Sequence, residues 1–589
     1  MEPKNRSNIA GKNTEIEVDI DSLAFGGKGL GRLNGEFVVF VTGALPGDRV
    51  RALVTKRKPQ YAEAKLLQII TPSPDRQEPK CPLFGLCGGC RTQDLDYAKQ
   101  CEWKQQQVSD SLRLAANLQQ TPFTAHPIIP SPTPWRYRNK MEFSFGTQPD
   151  SNGHIDIGLH KTGMWSQTLD CADCFIAPET FTRVTDAMRT TLNDMAATDP
   201  RICAYSQKTH QGLLRSLVLR HSVATDTFLI ALLTNDAPWF APKAESIGQQ
   251  ILRQFPNCKG YLWGTTTALS DVAVPEVTQL ELGDGIIEET LGARTYRISP
   301  FSFFQTNSRG ATILYDKVRE YAQLDTDQPI TLLDAYCGTG TIGIHCADKA
   351  ARVIGIELIE DAVIDARHNA QRNGFDNCEF HAGDMRQVLG KLRADGQLPA
   401  FDRVIVDPPR GGMEAKALKL LLDLNAPLIV YVSCNPTTLA RDAQQMIEAG
   451  YRIQQIQPVD MFPHTFHVET VCLLSKLHEA KHHVSVKLDM DELDLTASES
   501  KATYEEIKKY VAEHYDGMKV TNLYIAQVMR KCGIELAENF NLPKWEGAKG
   551  LGDLCSERTG VGTKTAKQPQ CPKEKEDAIV EALKHFKMI

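Results

Sequence analysis

Thr331-Leu-Leu-Asp-Ala-Tyr-Cys-Gly-Thr-Gly-Thr-Ile-Gly343 decides how the chain is read. Its apolar start reads as a buried strand, its glycines as a tight turn, and its end as the opening of a helix. Gly338 and Gly340 remove side chains where backbone must come close to a ligand. A little further on, Arg352-Val-Ile-Gly-Ile-Glu357 reads as a second strand ending in a carboxylate. Glu357 can there accept from both ribose hydroxyls of a nucleotide. The spacing Gly338-x-Gly-x-x-Gly343 taken alone also fits a dinucleotide-binding turn.

Later segments supply further walls. Phe401-Asp-Arg-Val-Ile-Val-Asp-Pro-Pro-Arg410 ends a strand with Asp407-Pro408-Pro409, and His381-Ala-Gly-Asp384 offers Asp384 for an adenine amino group. Pro427-Leu-Ile-Val-Tyr-Val432 reads as a buried strand with Ser433-Cys434-Asn435-Pro436 at its carboxyl end, the edge where open α/β sheets bind ligands. A lone cysteine there is usually a small packing residue, and each turn alone could be ordinary punctuation of a parallel sheet. Together, the series strand–Gly-x-Gly, strand–Glu, strand–Gly-Asp, strand–Asp-Pro-Pro resembles class I S-adenosylmethionine-dependent methyltransferases, which implies a Rossmann-like domain. An aromatic residue after Asp-Pro-Pro would suggest an exocyclic amino nitrogen as target. Arg410 stands there instead and a cysteine follows one strand later, which points to a ring carbon that a nucleophile must activate.

Phe303-Phe304-Gln305-Thr306-Asn307, Asp334-x-Tyr336-Cys-Gly, Asp407-Pro-Pro-Arg410, Ser433-Cys434-Asn-Pro and His467-Val468-Glu469-Thr470 in combination closely resemble the RumA/TrmA family of RNA uracil-5-methyltransferases, over about residues 9–477. The resemblance implies that Cys434 is the nucleophile, that Glu469 is the base, and that Gln305, Tyr336, Glu357 and Asp407 bind S-adenosylmethionine. Thr341, also assigned to the cofactor, falls where relatives often place Asn. The chemistry suits these residue types. Carbon 5 of uracil is a poor nucleophile until a thiolate adds at carbon 6, and a base must then remove the carbon 5 proton so that the cysteine can leave.

Cys81-x5-Cys87-Gly-Gly-Cys90 places three thiols around a glycine pair. Such a set suits a four-cysteine zinc site or an iron–sulfur cluster. A fourth ligand must come from elsewhere, and Leu169-Asp-Cys171-Ala-Asp-Cys174-Phe-Ile offers two. The resemblance implies a 4Fe-4S cluster and favours Cys174 over Cys171. It also ties the cysteine loop to bacterial members acting on 23S ribosomal RNA rather than transfer RNA.

Glu15–Ile20, Glu36–Val41 and Asp48–Val54 alternate as short strands between glycine turns, predicting a small β-barrel. Phe25-Gly-Gly-Lys-Gly-Leu-Gly31 resembles a TRAM domain, an RNA-binding barrel of the OB type. A basic run, Arg49 to Lys65, offers phosphate contacts, and Arg136, Arg138 and Lys140 are expected on one RNA-facing strand face.

At 589 residues the chain exceeds one core. The expected plan is multidomain α/β: a TRAM barrel (9–72), a central α+β iron–sulfur domain (73–300), the methyltransferase domain (301–477), and a mostly helical extension (478–589). Helix 93–120 is expected to pack on the methyltransferase domain. The net charge of −7 excludes a polycationic binder, so RNA affinity must come from local patches. The absence of a signal-peptide pattern and of a long apolar stretch gives the expectation of a cytoplasmic, membrane-free monomer. Two rivals remain: a transfer-RNA uracil-5-methyltransferase, and a non-catalytic iron–sulfur RNA-binding or redox-sensing protein.

Overall fold

The computed structural model describes residues 10–115, 123–147, 153–270, 272–477, 504–515, 518–521 and 572–585, with isolated positions between 522 and 531. The first five strands, β1 (Glu15–Ala24), β2 (Lys28–Leu33), β3 (Phe37–Thr42), β4 (Arg49–Arg57) and β5 (Tyr61–Thr71), close into a barrel in the order β1-β2-β3-β5-β4. Period-two alternation sends Val18, Ile20, Val39, Val41, Val50, Ala52 and Val54 inward to one core. At Gly31 a Cβ would lie 2.2 Å from the Asp19 carbonyl oxygen, so β2 can cross β1 only with glycine there.

After the barrel come α1 (Tyr97–Ala115) and the short β6 (Thr124–Ala125). A seven-stranded sheet follows in the order β13-β12-β11-β10-β7-β8-β9. Its strands are β7 (Lys140–Thr147), β8 (Ile155–Lys161), β9 (Met164–Asp170), β10 (Leu214–His221), β11 (Phe228–Thr234), β12 (Cys258–Thr265) and β13 (Val277–Gly283). Helices α2 (Glu179–Thr198) and α3 (Ala241–Gln254) supply Phe181, Val184, Met188, Ile247 and Ile251 to its core. The expected basic strand begins later than its alternation suggested. Arg136 has left-handed backbone (φ 53°), which breaks the extended run before Lys140.

The third sheet carries the Thr331 motif. Hairpin β14 (Ile287–Leu291) and β15 (Arg294–Ile298) precedes it and buries Ile287, Leu291, Tyr296 and Ile298 in its core, because two strands alone cannot hide an apolar face. That core therefore reaches back beyond residue 301. Then alternate α4 (Ser308–Tyr321), β16 (Thr331–Ala335), α5 (Thr341–Cys346), β17 (Arg352–Glu357), α6 (Glu360–Arg372), β18 (Cys378–Ala382), α7 (Met385–Ala394), β19 (Arg403–Val406), α8 (Ala415–Asp423), β20 (Leu428–Ser433), α9 (Pro436–Glu448), β21 (Tyr451–Val459) and β22 (Glu469–Lys476). Sheet order is β18-β17-β16-β19-β20-β22-β21-β6. Strands β16 to β20 run parallel, and β22 lies antiparallel to β20.

Helix α1 packs against α9 and sends Val108 and Leu112 into this domain's core. Lys104 Nζ on α1 meets Asp460 Oδ1 at 2.7 Å, with side-chain exposures of 4% and 0%. Asp460 also accepts from the Tyr97 hydroxyl at 2.9 Å.

Residues 482–589 form a separate compact unit. There α10 (Tyr504–His514) and α11 (Lys573–His585) share a small core of Ile507, Val511, Ile579 and Leu583. The acidic run Asp489–Asp494, the glycine-rich stretch 544–567, Cys555, Cys571 and most of the helical pattern 522–531 lie outside the described residues. Among the described residues no helix is long and apolar enough to cross a membrane.

Removing one partner of a buried ion pair leaves an uncompensated charge, at a cost of about 3–5 kcal/mol. Lys104→Met should therefore lower the thermal unfolding temperature markedly. The double variant Lys104→Met/Asp460→Asn, which leaves no buried charge and keeps an acceptor for Tyr97, should recover much of the loss. Equal melting of the single variant and the parent would show that the pair contributes nothing.

Candidate active site

Strand β16 runs into a turn whose Tyr336, Gly338 and Gly340 all have left-handed backbone (φ 64°, 54° and 75°). A Cβ on Gly340 would sit 2.9 Å from Phe380 Cζ and 3.0 Å from Ala366 Cβ, so the turn requires glycine there. The Gly343 amide donates to Asp334 Oδ2 at 2.8 Å, fixing the helix start to the strand. Glu357 stitches the turn to the neighbouring strand end: Oε2 accepts from the Gly338 amide (3.1 Å) and Oε1 from the Ile359 amide (3.0 Å). Asp384 caps α7, accepting from the Arg386 amide and Nε, each at 3.0 Å, and this pairing holds its carboxyl below the usual range.

Gln305 is buried just before α4, its carbonyl accepting from Asn139 Nδ2 at 2.9 Å. Thr341, assigned to the cofactor on the resemblance, opens α5. It is buried with its hydroxyl 3.0 Å from the Tyr315 hydroxyl, so its polar group is engaged in the core. Sequence reasoning passed over Leu358 and Ile359, which follow Glu357 and are 67% and 57% exposed, and gave no task to Phe303, 65% exposed beside the glycine turn. Apolar residues left bare at a strand's carboxyl end were the available signal.

The chemical corner lies two strands along the same edge. Asp407 follows β19, Cys434 follows β20, and Glu469 begins β22. The register pairs Ser433 with Thr470, which sets Cys434 beside Glu469. Ser433 Oγ accepts from the Asn435 amide (3.1 Å), and Asn435 Nδ2 donates to the Arg410 carbonyl (3.2 Å), tying the cysteine turn to Asp407-Pro-Pro-Arg410. Burial, then the Asp407 charge, pushes Glu469 up to about 8, and burial pushes Asp407 up to about 7. Burial, Glu469 and Asp407 together push the Cys434 thiol up to about 12. The Arg410 charge opposes the shifts of Cys434 and Glu469, a role its place in the motif did not disclose. Burial thus disfavours the ionised form of the thiol and of both carboxyls beside it.

Glu469 is delivered by the loop Asp460–Val468. The barrel touches this loop through Phe25, whose ring stands edge-on to Phe466 at 5.8 Å. The stretch Trp135–Asn139 grips it and two neighbours in alternation. Trp135 stacks on His464 with ring centroids 3.7 Å apart. Arg136 forms a two-pronged pair with Asp173 (2.8 and 2.9 Å) and donates to the Cys174 carbonyl. The Tyr137 hydroxyl donates to the Pro463 carbonyl at 3.0 Å, and Asn139 holds Gln305. Arg136 is thereby committed to internal contacts and is not the free RNA-facing cation expected of it.

Cys81, Cys87, Cys90, Cys171 and Cys174 line one cavity, walled by Leu83, Phe84, Leu159, Phe175 and Ile176. Cys171 hydrogen-bonds Cys87, which holds the Cys87 thiol down at about 6 and pushes Cys171 up. Among the described residues no three or more His, Cys, Asp or Glu side chains converge tightly enough for a single metal ion. The five thiols line that space, and thiolates are ligands of both zinc and iron–sulfur sites. Both Cys171 and Cys174 face it.

Residues 12–67 match the TRAM domain, and residues 267–477 match the family described as tRNA (Uracil-5-)-methyltransferase. An RNA methyltransferase of Clostridium tetani, itself uncharacterized, is 39% identical over 461 residues, 78% of this chain and 97% of its own length. The chain belongs to the RNA uracil-5-methyltransferase family. A second uncharacterized RNA methyltransferase, from Caldanaerobacter subterraneus subsp. tengcongensis, is also 39% identical, across 99% of its own length. The crystal structure of Pyrococcus abyssi tRNA (uracil-54, C5)-methyltransferase in complex with S-adenosyl-L-homocysteine superposes with a TM-score of 0.60 at 28% identity, covering 78% of this chain and all of that one. This protein is therefore an S-adenosylmethionine-dependent RNA (uracil-5-)-methyltransferase with an N-terminal TRAM barrel.

The raised carboxyls make stability depend on pH. Glu469 ionises near 4.5 when free and about 8 in the fold, so its contribution is complete below pH 4.5 and is lost as pH rises through 8. The melting temperature should fall across that window. Glu469→Gln should flatten the fall, leaving the part due to Asp407. An unchanged slope in the variant would mean that Glu469 is ionised throughout.

Proposed function

We propose that the enzyme methylates carbon 5 of a specific uridine through a covalent bond between Cys434 and carbon 6 of the base. The supporting observation is the register that sets Cys434 beside Glu469 on the edge bearing Asp407. Cys434 gives up its proton to solvent water and its thiolate adds to carbon 6; the resulting enolate attacks the sulfonium methyl from carbon 5, and S-adenosylhomocysteine leaves as the carbon–sulfur bond breaks. Glu469 then takes the carbon 5 proton, the double bond re-forms, and the Cys434 thiolate leaves. A carboxyl held at about 8 suits this task, since a base works best with a pKa near the working pH. Gln305, the Tyr336–Gly340 turn, Glu357, Asp384 and Asp407 line the donor's side of the edge. Glu357 would accept from the ribose and Leu358, Ile359 and Phe303 would cover the adenosine.

Cys434→Ala should abolish methyl transfer while leaving S-adenosylmethionine binding intact. Glu469→Gln should instead accumulate methylated RNA bound to Cys434, seen as a protease-sensitive shifted band on a denaturing gel. Near-normal single-turnover methylation by Cys434→Ala would sink the covalent route.

We assign the five-cysteine cavity to a 4Fe-4S cluster held by Cys81, Cys87, Cys90 and Cys174, with Cys171 as a hydrogen-bonding neighbour. Bound, such a group supplies a cross-link between the loop after the barrel and the end of β9. Anaerobically purified protein should carry about four irons per chain. Replacing Cys174 should remove them, whereas replacing Cys171 should spare them. Zinc without iron, or the reverse result for the two cysteines, would overturn the assignment.

The favoured substrate is 23S ribosomal RNA in the cytoplasm, on the resemblance of the cysteine loop to that of ribosomal-RNA members. Transfer RNA is the second reading, favoured by the activity of the superposed archaeal protein. Mass-spectrometric mapping of 5-methyluridine in both RNA pools, with and without this protein, decides between them.

A further inference from the structure

His464 has left-handed backbone (φ 65°), a conformation that a bulky side chain keeps only where its surroundings impose it. They do so from several directions. The ring is stacked on Trp135. Its Nδ1 lies 3.2 Å from Gln100 Nε2, and its amide donates to Gln100 Oε1 at 3.0 Å. Gln100 Nε2 can only donate, so Nδ1 accepts and the ring is neutral with its proton on Nε2, in keeping with burial pulling it down to about 4. Its carbonyl accepts from the amides of Arg91 (2.8 Å) and Thr92 (3.2 Å).

Those partners have one neighbourhood in common. Arg91 directly follows Cys90. Trp135 directly precedes Arg136, which holds Asp173 and the Cys174 carbonyl. The Cys90 wall of the cysteine cavity therefore reaches His464 through Arg91 alone, and the Cys174 wall through Arg136 and Trp135. On its other side the link to Glu469 is short and braced. Thr465 Oγ1 donates to the Phe462 carbonyl (2.8 Å) and accepts from the His467 amide (3.2 Å), and Val468 is fully buried.

We propose that His464 is the positioning residue through which the cysteine loop sets the placement of the base Glu469. The proposal rests on Glu469 being the base. It locates the cysteine cavity's effect on catalysis in the proton-removal step, after methyl transfer, and leaves the binding of S-adenosylmethionine untouched.

The test compares His464→Ala, His464→Asn, Trp135→Leu and Glu469→Gln in the full-length protein with a uridine-containing RNA substrate. Asn tolerates left-handed backbone and can offer Gln100 an acceptor where Nδ1 stood. His464→Ala should lower kcat by about tenfold or more and trap Cys434–RNA adduct, as Glu469→Gln does, with the KM for S-adenosylmethionine within about twofold of the parent. His464→Asn should restore most of kcat. Trp135→Leu, which breaks the arm from the Cys174 side, should trap adduct and speed hydrogen exchange across residues 460–468, a readout independent of turnover. Turnover by His464→Ala without trapping, while Glu469→Gln traps, overturns the proposal and spares the base assignment. Loss of adduct formation in His464→Ala, or trapping in His464→Ala but not in Trp135→Leu, also overturns it. No trapping in Glu469→Gln removes the base assignment and the proposal with it.

Discussion

A parallel sheet sends every strand's carboxyl end to the same edge, and side chains placed there come from residues the chain meets as it leaves the sheet. A strand that enters at that edge must run the other way. Strand β22 is that strand, antiparallel to β20, and its first residue is Glu469. The reversal lets the thiol of one strand end and the carboxyl of another strand's beginning share a ladder rung's neighbourhood. Glu357 and Asp407 come from the parallel strands alone. On the proposed route, the side-by-side placement of Cys434 and Glu469 thus depends on one change of strand direction.

A strand that enters needs a loop to bring it in, and this loop is fixed by other parts of the molecule. The buried Lys104–Asp460 pair anchors its start to α1, Phe25 of the barrel touches its end, and Trp135 and Tyr137 hold its middle. The same five-residue stretch holds Gln305 by Asn139 and the Cys174 turn by Arg136. One segment between barrel and central sheet therefore registers the Gln305 segment, the Asp460–Val468 loop and the cysteine cavity against one another. A left-handed turn at Arg136 makes this possible, since it lets neighbouring residues point to more than the two faces a strand offers.

Sequence made the strand-end residues visible. Glu357, Asp407 and Cys434 each follow an apolar run of strand length, and a sheet edge is where such runs stop. The barrel was visible through its alternation and glycines. Contacts between residues far apart in the chain were hidden. No local pattern singles out Lys104 or Asp460 before the fold brings them together. The Thr341 hydroxyl finds Tyr315, and Arg136 finds Asp173, through partners that no local pattern reveals. The choice between Cys171 and Cys174 stayed open for a related reason, because both flank the end of β9 and both face the cavity.

The two carboxyls beside Cys434 carry one more consequence. RNA brings a dense line of phosphates toward any site that must swallow one of its bases, and a pocket holding two full negative charges would resist that approach. Burial holds Asp407 near 7 and Glu469 near 8, which keeps much of that charge in abeyance at neutral pH, while the Arg410 charge opposes the rise at Glu469. On the proposed route the two acid groups are thus electrically quiet while the polyanion docks. Glu469 must be ionised to accept the carbon 5 proton, so only that ionised fraction is competent for the last step, and it grows as pH approaches 8.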